Sequence, residues 1–191
     1  KRISNTLLLQ QDALQAVYFL LGKIIVRKIN NDIIRKRITE VEVYKQDDSA
    51  CHAFKGKTKR NAPLFGDAGT IYVYLCYGLH NIVNIVTGEN GNAQGIMLRG
   101  LDNTFGSGKV GKILHANLSL NFQNITTSDE LWLEDDGFIV NPKNVITEKR
   151  IGISYAKEED QNKLWRFRLK GFWSNFKIFN NKKRCNFYCI F

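Results

Sequence analysis

Two glutamates, Glu40 and Glu42, stand two residues apart in the segment Ile33–Tyr44 (IIRKRITEVEVY). On an extended strand this spacing puts both carboxylates on one face, roughly 7 Å apart. A carboxylate pair suits general acid–base work on a glycosidic bond, although a pair of that kind straddles the bond it breaks. The same spacing also describes a solvated charged stripe on an exposed strand, and spacing alone leaves both readings open.

The tyrosines are a second candidate. Tyr44, Tyr72, Tyr74 and Tyr77 make up four of the seven in the chain. Alternation along Thr70–Tyr77 (TIYVYLCY) puts Tyr72 and Tyr74 on one face and Val73, Leu75 and Tyr77 on the other. Such a surface stacks nucleobases, at roughly 1–3 kcal/mol per base in single-strand binders, or it builds a Tyr-rich core. Asn84 is the one polar residue within Ile82–Val86 (IVNIV). A buried Asn must satisfy its amide hydrogens and its carbonyl, so it is either a structural bridge or a reader of a base edge.

Other chemistries find no support. Cys51, Cys76, Cys185 and Cys189 form no CxxC pair, and His52, His80 and His115 are scattered, so no metal is expected. Without a secretory pattern, the cysteines read as reduced thiols of an intracellular protein. Gly106-Ser107-Gly108-Lys109 lacks the P-loop pattern and reads as a glycine turn entering a helix. No apolar run is long enough for a membrane span.

These residues must be held by a β-rich scaffold. Helical spacing of Ala13, Leu14, Val17, Leu20 and Leu21 predicts a helix over 11–22, closed by Gly22. Strands are predicted over Lys23–Ile29 and Ile33–Tyr44, with Asn30-Asn31-Asp32 as the turn. A hairpin follows over Thr70–Tyr77 and Ile82–Thr87 with Gly78 near its tip. Next come a strand over Gly95–Leu101 and a turn-plus-helix over Gly106–Leu118. Short strands or loops are expected at Ile139-Val140, Lys149–Ile153 and Trp165–Leu169. The polar stretch Lys45–Ala68 reads as a long functional or mobile loop.

The 191 residues carry a formal net charge of +10, unevenly spread. Residues 1–60 hold 13 basic and 6 acidic side chains, residues 61–140 hold 3 and 8, and residues 141–191 hold 12 and 4. Two basic ends thus flank an acidic, aromatic middle. If the ends share a surface, it attracts a polyanion such as nucleic acid; dispersed, the same charge serves solubility.

Taken in order, several segments resemble a known family. They are Glu40-Val41-Glu42-Val43-Tyr44, Ala50-Cys51-His52-Ala53, Thr58-Lys59-Arg60-Asn61, Gly69–Gly78 (GTIYVYLCYG) and Met97-Leu98-Arg99. Gly106–Lys109, Arg150-Ile151-Gly152 and Trp165-Arg166-Phe167 follow. The chain is similar over about residues 5–176 to the alkyladenine (methylpurine, or 3-methyladenine) DNA glycosylases. Residues 177–191 are left as an unassigned tail of one 1–191 domain.

The resemblance implies an α+β fold, a curved, mainly antiparallel sheet with surrounding helices and a protruding β-hairpin. It implies a cofactor-free enzyme that flips alkylated or deaminated purines out of double-stranded DNA and hydrolyses their N-glycosidic bond; a monomer is the default expectation, which the sequence does not fix. Glu42 would deprotonate the attacking water. Arg99 and the backbone carbonyl of Ile151 would help hold that water. Tyr44, His52 and Tyr74 would wall the base pocket, and Asn84 would reject guanine by meeting its exocyclic amine. Tyr77 would wedge into the duplex. Glu40 matches no catalytic position and keeps the solvated-stripe reading. One rival is a non-catalytic nucleic-acid-binding module on the same scaffold; a second is an enzyme of unrelated carboxylate chemistry on a small-molecule substrate, which the two basic ends disfavour. Between Tyr44 and His52 the chain is one residue shorter than the family's usual spacing.

Overall fold

Asp12 starts the architecture. Its side chain accepts the Leu14 amide at 3.0 Å and so caps helix α1 (Ala13–Leu20). The buried stripe of α1 is Ala13, Ala16, Val17 and Leu20, and it packs on the sheet beneath. Leu21 ends the helix, and Gly22, at φ +81°, turns the chain into strand β1 (Ile24–Ile29). Asn30, in the left-handed region at φ +54°, then makes the tight turn into β2 (Asp32–Lys45). The computed structural model describes residues 1–172. The 177–191 tail, with Cys185 and Cys189, lies outside them.

β2 is the organising strand. Its first half pairs with β1. Its second half lies between β5 (Gln94–Leu101) and β9 (Arg166–Leu169). The hairpin of β3 (Ile71–Cys76) and β4 (His80–Val86) adds on the far side of β5. β6 (Thr104–Phe105) pairs with β5, β7 (Leu131–Glu134) with β1, and β8 (Val145–Glu148) with β9. Every pairing is antiparallel, and the main path runs β3-β4-β5-β2-β1-β7. Helices α1, α2 (Ser107–Ile113) and the short α3 (Glu158–Gln161) complete the α+β arrangement. Gly111 of α2 lies so close to β4 that a Cβ there would sit 1.7 Å from the Asn81 carbonyl oxygen.

Of the segments expected as short strands or loops, Ile139-Val140 and Lys149–Ile153 are loops and Trp165–Leu169 holds β9. Three features depart from the sequence expectations. Leu131–Glu134, unmarked by the pattern, forms a strand. Lys45–Ala68 is no loose loop: successive turns and a 3-10 turn at Ala62–Phe65 bury Ala50, Cys51, Ala53, Pro63 and Leu64. Most consequentially, Glu40 and Glu42 are not a solvated stripe. They are 1% and 0% exposed, because the side chains of Arg99, Arg166 and Tyr44 and the backbone at Ile151 pack against the two carboxylates.

Candidate active site

Strand register assembles the site. Directly opposed residues of an antiparallel sheet share a face, and the pairs Tyr72↔Asn84, Asn84↔Met97 and Met97↔Glu42 form one row across β3, β4, β5 and β2. Three strand spacings separate its ends, about 14 Å. One end carries aromatics and the other a carboxylate.

At the carboxylate end, Glu42 is fully buried and its two oxygens are addressed separately. Oε2 accepts from the Tyr44 hydroxyl at 2.8 Å. Oε1 accepts from the backbone N–H of Ile151 at 3.1 Å and lies 3.4 Å from Arg99 Nε. Arg99 reaches this point through a β-bulge: Val41 pairs with Leu98 and Glu40 with Gly100, so Arg99 stands unopposed between them. Bulges re-aim side chains in this way and recur beside active sites. The family resemblance cast Ile151 as a carbonyl contact to water. Here its amide also orients the carboxylate.

Tyr44 is fixed from beneath by Arg150, whose guanidinium lies 4.8 Å from the ring centroid. Arg150 is itself buried, bonded to Asp48, to the Val43 carbonyl at 2.9 Å and to the Asp160 carbonyl at 3.1 Å. Burial, together with the neighbouring charge of Glu42, pushes the Tyr44 phenol well above its ordinary range, so it stays a hydrogen-bond donor.

At the aromatic end, the His52 and Tyr74 rings stand edge to face with centroids 4.3 Å apart. Tyr72 lies 5.6 Å from Tyr74, and its hydroxyl is hydrogen-bonded to His52 Nδ1 at 2.8 Å. Burial, aided by the charge of Arg60, pulls the His52 pKa down to about 4, and burial pushes the Tyr72 phenol well above its ordinary range, so both are neutral through the physiological range. The shorter spacing from Tyr44 still puts His52 in this wall. Asn84 Nδ2 donates to the Tyr72 carbonyl at 3.1 Å, so the expected structural bridge exists.

Between the two ends opens a cleft of about 580 Å³, within the size range of small-ligand sites. Tyr44, His52, Tyr74, Tyr77, Asn84, Arg99 and Ile151 all line it, with Glu42 directly behind Tyr44 and Ile151. All eight residues singled out from the sequence therefore meet at one place. Tyr77 sits at the hairpin tip, 42% exposed, at φ +52° and followed by Gly78 at φ +68°. The Leu79 amide closes the turn on the Cys76 carbonyl. Two positive φ values in succession describe a type I′ turn, in which a bulky residue is strained.

The family resemblance gave no role to Tyr72, Arg150 or Glu40. Tyr72 shares a face with Tyr74, the one signal that marked it; Arg150 carried none beyond its place beside Ile151. Among the described residues no group of three His, Cys, Asp or Glu side chains could hold a metal ion, and no helix is long and apolar enough to cross a membrane.

The chain matches known proteins in sequence. The family model described as methylpurine-DNA glycosylase matches residues 7–172. A Borrelia garinii protein named for 3-methyladenine DNA glycosylase activity is 38% identical over 173 residues, covering 84% of this chain and 92% of its own length. The DNA-3-methyladenine glycosylase of Arabidopsis thaliana is 38% identical over 178 residues, covering 83% of this chain and 68% of its own length. A Clostridium perfringens relative is 33% identical over 189 residues, covering 84% and 92%. A family match spanning nearly all of the described residues, and relatives of this identity and coverage, make the chain a DNA glycosylase belonging to the methylpurine-DNA glycosylase family.

Proposed function

We propose that the protein extrudes alkylated or deaminated purines, the 3-methyladenine, hypoxanthine and ethenoadenine class, from double-stranded DNA and hydrolyses their N-glycosidic bond, leaving an abasic site for base-excision repair. The observation that carries this reading is Glu42, a buried carboxylate oriented by Tyr44, Ile151 and Arg99 behind an aromatic cleft. The names of the relatives point to the same substrate class.

In the reaction the bond from C1′ to the base nitrogen breaks, and its electron pair stays on the base. The water oxygen bonds to C1′, and the water proton passes to Glu42. A purine alkylated at N3 or N7 already carries positive charge, so it leaves as a neutral molecule without prior protonation; hypoxanthine and ethenoadenine are uncharged and must take up a proton from solvent as they leave. Its charge also decides how it is held. Tyr44 and Tyr74 offer electron-rich ring faces to a cation. Neutral His52 completes the wall without repelling it, and hydrogen-bonds the base edge. Asn84, anchored by its bond to the Tyr72 carbonyl, meets the exocyclic amine of guanine and excludes it. Arg99 and the Ile151 carbonyl hold the water, and Tyr77 fills the gap left in the stack. No lysine is assigned to a lyase step, and no cofactor is required.

Duplex oligonucleotides carrying hypoxanthine, ethenoadenine or 3-methyladenine test the proposal. After incubation and alkali treatment, the wild-type chain should yield strand breaks at the lesion. Glu42→Gln should lower the single-turnover rate by orders of magnitude while lesion binding persists. Binding without base release from any lesion would instead establish the non-catalytic module.

A further inference from the structure

Glu40 is buried to 1% exposure one residue pair away from the proposed base, and its surroundings are unlike those of a merely structural carboxylate. Its Oε1 accepts from Arg166 at 2.9 Å and lies 3.3 Å from Arg99 Nε. The same Nε lies 3.4 Å from Glu42 Oε1, so one guanidinium nitrogen is shared almost equally by two carboxylates. Glu40 Oε2 is buried without a hydrogen-bond partner. Among the described residues, the ion pairs of this carboxylate are with Arg166 and Arg99.

We propose that Glu40 is a positioning residue for the reaction. It holds Arg99 on the bulge of β5 and divides that cation's attraction between itself and Glu42, keeping Glu42 a stronger base than it would be facing Arg99 alone. The proposal rests on the assignment of Glu42 as the base. The charged groups facing Glu40 are Glu42 on its own strand, Arg99 from β5 and Arg166 from β9, with Glu148 of β8 holding Arg166 from behind at 3.2 Å. Lys109 lies farther out, on the cleft wall. Burial pushes the Glu40 carboxyl upward while its two arginines oppose the shift. Two carboxylates and two guanidiniums make the inner cluster electrically neutral, and removing one member leaves Glu42 with an uncompensated neighbour.

Opposite charge changes should therefore move the base in opposite directions. Glu40→Gln leaves both cations to Glu42 and weakens it as a base. Arg166→Gln leaves Glu40 to draw Arg99 away and strengthens it. Two carboxylates sharing one nitrogen at these distances are under 7 Å apart, and at an effective dielectric constant near 20 such a charge displaces a pKa by about one unit or more.

Single-turnover excision of hypoxanthine from a duplex oligonucleotide, followed from pH 3 to 9 with the full chain, reads this directly. The acidic midpoint of the rate profile should fall by about one pH unit in Glu40→Gln and rise in Arg166→Gln, with Glu40→Asp returning toward wild type. At neutral pH, Glu40→Gln should lose at most about tenfold in rate through this effect. Rates that fall in both variants, with acidic midpoints unmoved, would overturn the proposal and make Glu40 a packing residue. Wild-type excision by Glu42→Gln would overturn the assignment on which it rests. If Glu40→Gln fails to fold, the sign of the Arg166→Gln shift decides.

Discussion

His52 offers a test of the buried aromatic wall that needs no DNA. Burial, aided by Arg60, holds its pKa near 4, against about 6.5 in an unfolded chain. A base whose folded pKa lies below its unfolded value binds fewer protons when folded, so the unfolded state gains as pH falls. Stability from this source is fully present above pH 6.5 and is lost as pH drops from 6.5 toward 4. Linkage over that interval gives a loss of about 2 kcal/mol by pH 5 and about 3 kcal/mol by pH 4. His52→Gln removes the titration while leaving every other acid-sensitive group in place. It also forfeits the 2.8 Å bond to Tyr72, a penalty of about 1–3 kcal/mol that is the same at all pH values. Guanidinium chloride unfolding at pH 7.5, 6, 5 and 4.5 should show the variant less stable at pH 7.5, with the difference shrinking and then reversing on acidification. A gap between wild type and variant that stays constant across the series would refute the burial argument.

Three further outcomes follow from the same geometry. Asp48→Ala strips the buried Arg150 of its carboxylate partner and should cost about 3–5 kcal/mol in equilibrium unfolding; a loss under 1 kcal/mol would mean that Arg150 finds water. Gly111→Ala, usually worth up to about 1 kcal/mol of helix stability, should lower Tm here because the new Cβ meets the Asn81 carbonyl; a raised Tm would show that α2 can retreat from β4. Tyr77→Gly should relieve the left-handed strain, raising stability by about 0.5–1 kcal/mol, while weakening lesion binding in fluorescence anisotropy. Unchanged affinity would remove Tyr77 from the DNA interface.

The legible parts of this molecule are those whose partners lie close in sequence. The β3–β4 hairpin and the length of β2 follow from alternation, because hairpin partners and turn residues stand together in the chain. Strand β7 does not, since Leu131–Glu134 is four residues long in an acidic stretch and becomes a strand only by pairing with β1. The site residues were legible as a set of motifs, and their shared place in one cleft accords with that reading. The fate of Glu40 was illegible because its partners, Arg99 and Arg166, are brought from distant strands and one of them arrives through a bulge that no periodicity announces.

The two ends of the site differ in how firmly the backbone grips them. Glu42 rides on a strand laddered on both sides, to β5 and to β9, near the middle of the sheet path. β3 is the terminal strand of that path. The segment 121–125 covers its first half, through the Asn121 side chain at Val73 and the backbone of Gln123 at Ile71. From Tyr74 to the tip, the outer edge is tied by the guanidinium of Arg60 at the Leu75 carbonyl. Amide exchange should therefore be slowest around Glu42 and faster at the hairpin tip. On the proposed function, a chain sampling many undamaged bases would bend its probing end at each one while its hydrolytic end keeps a single geometry.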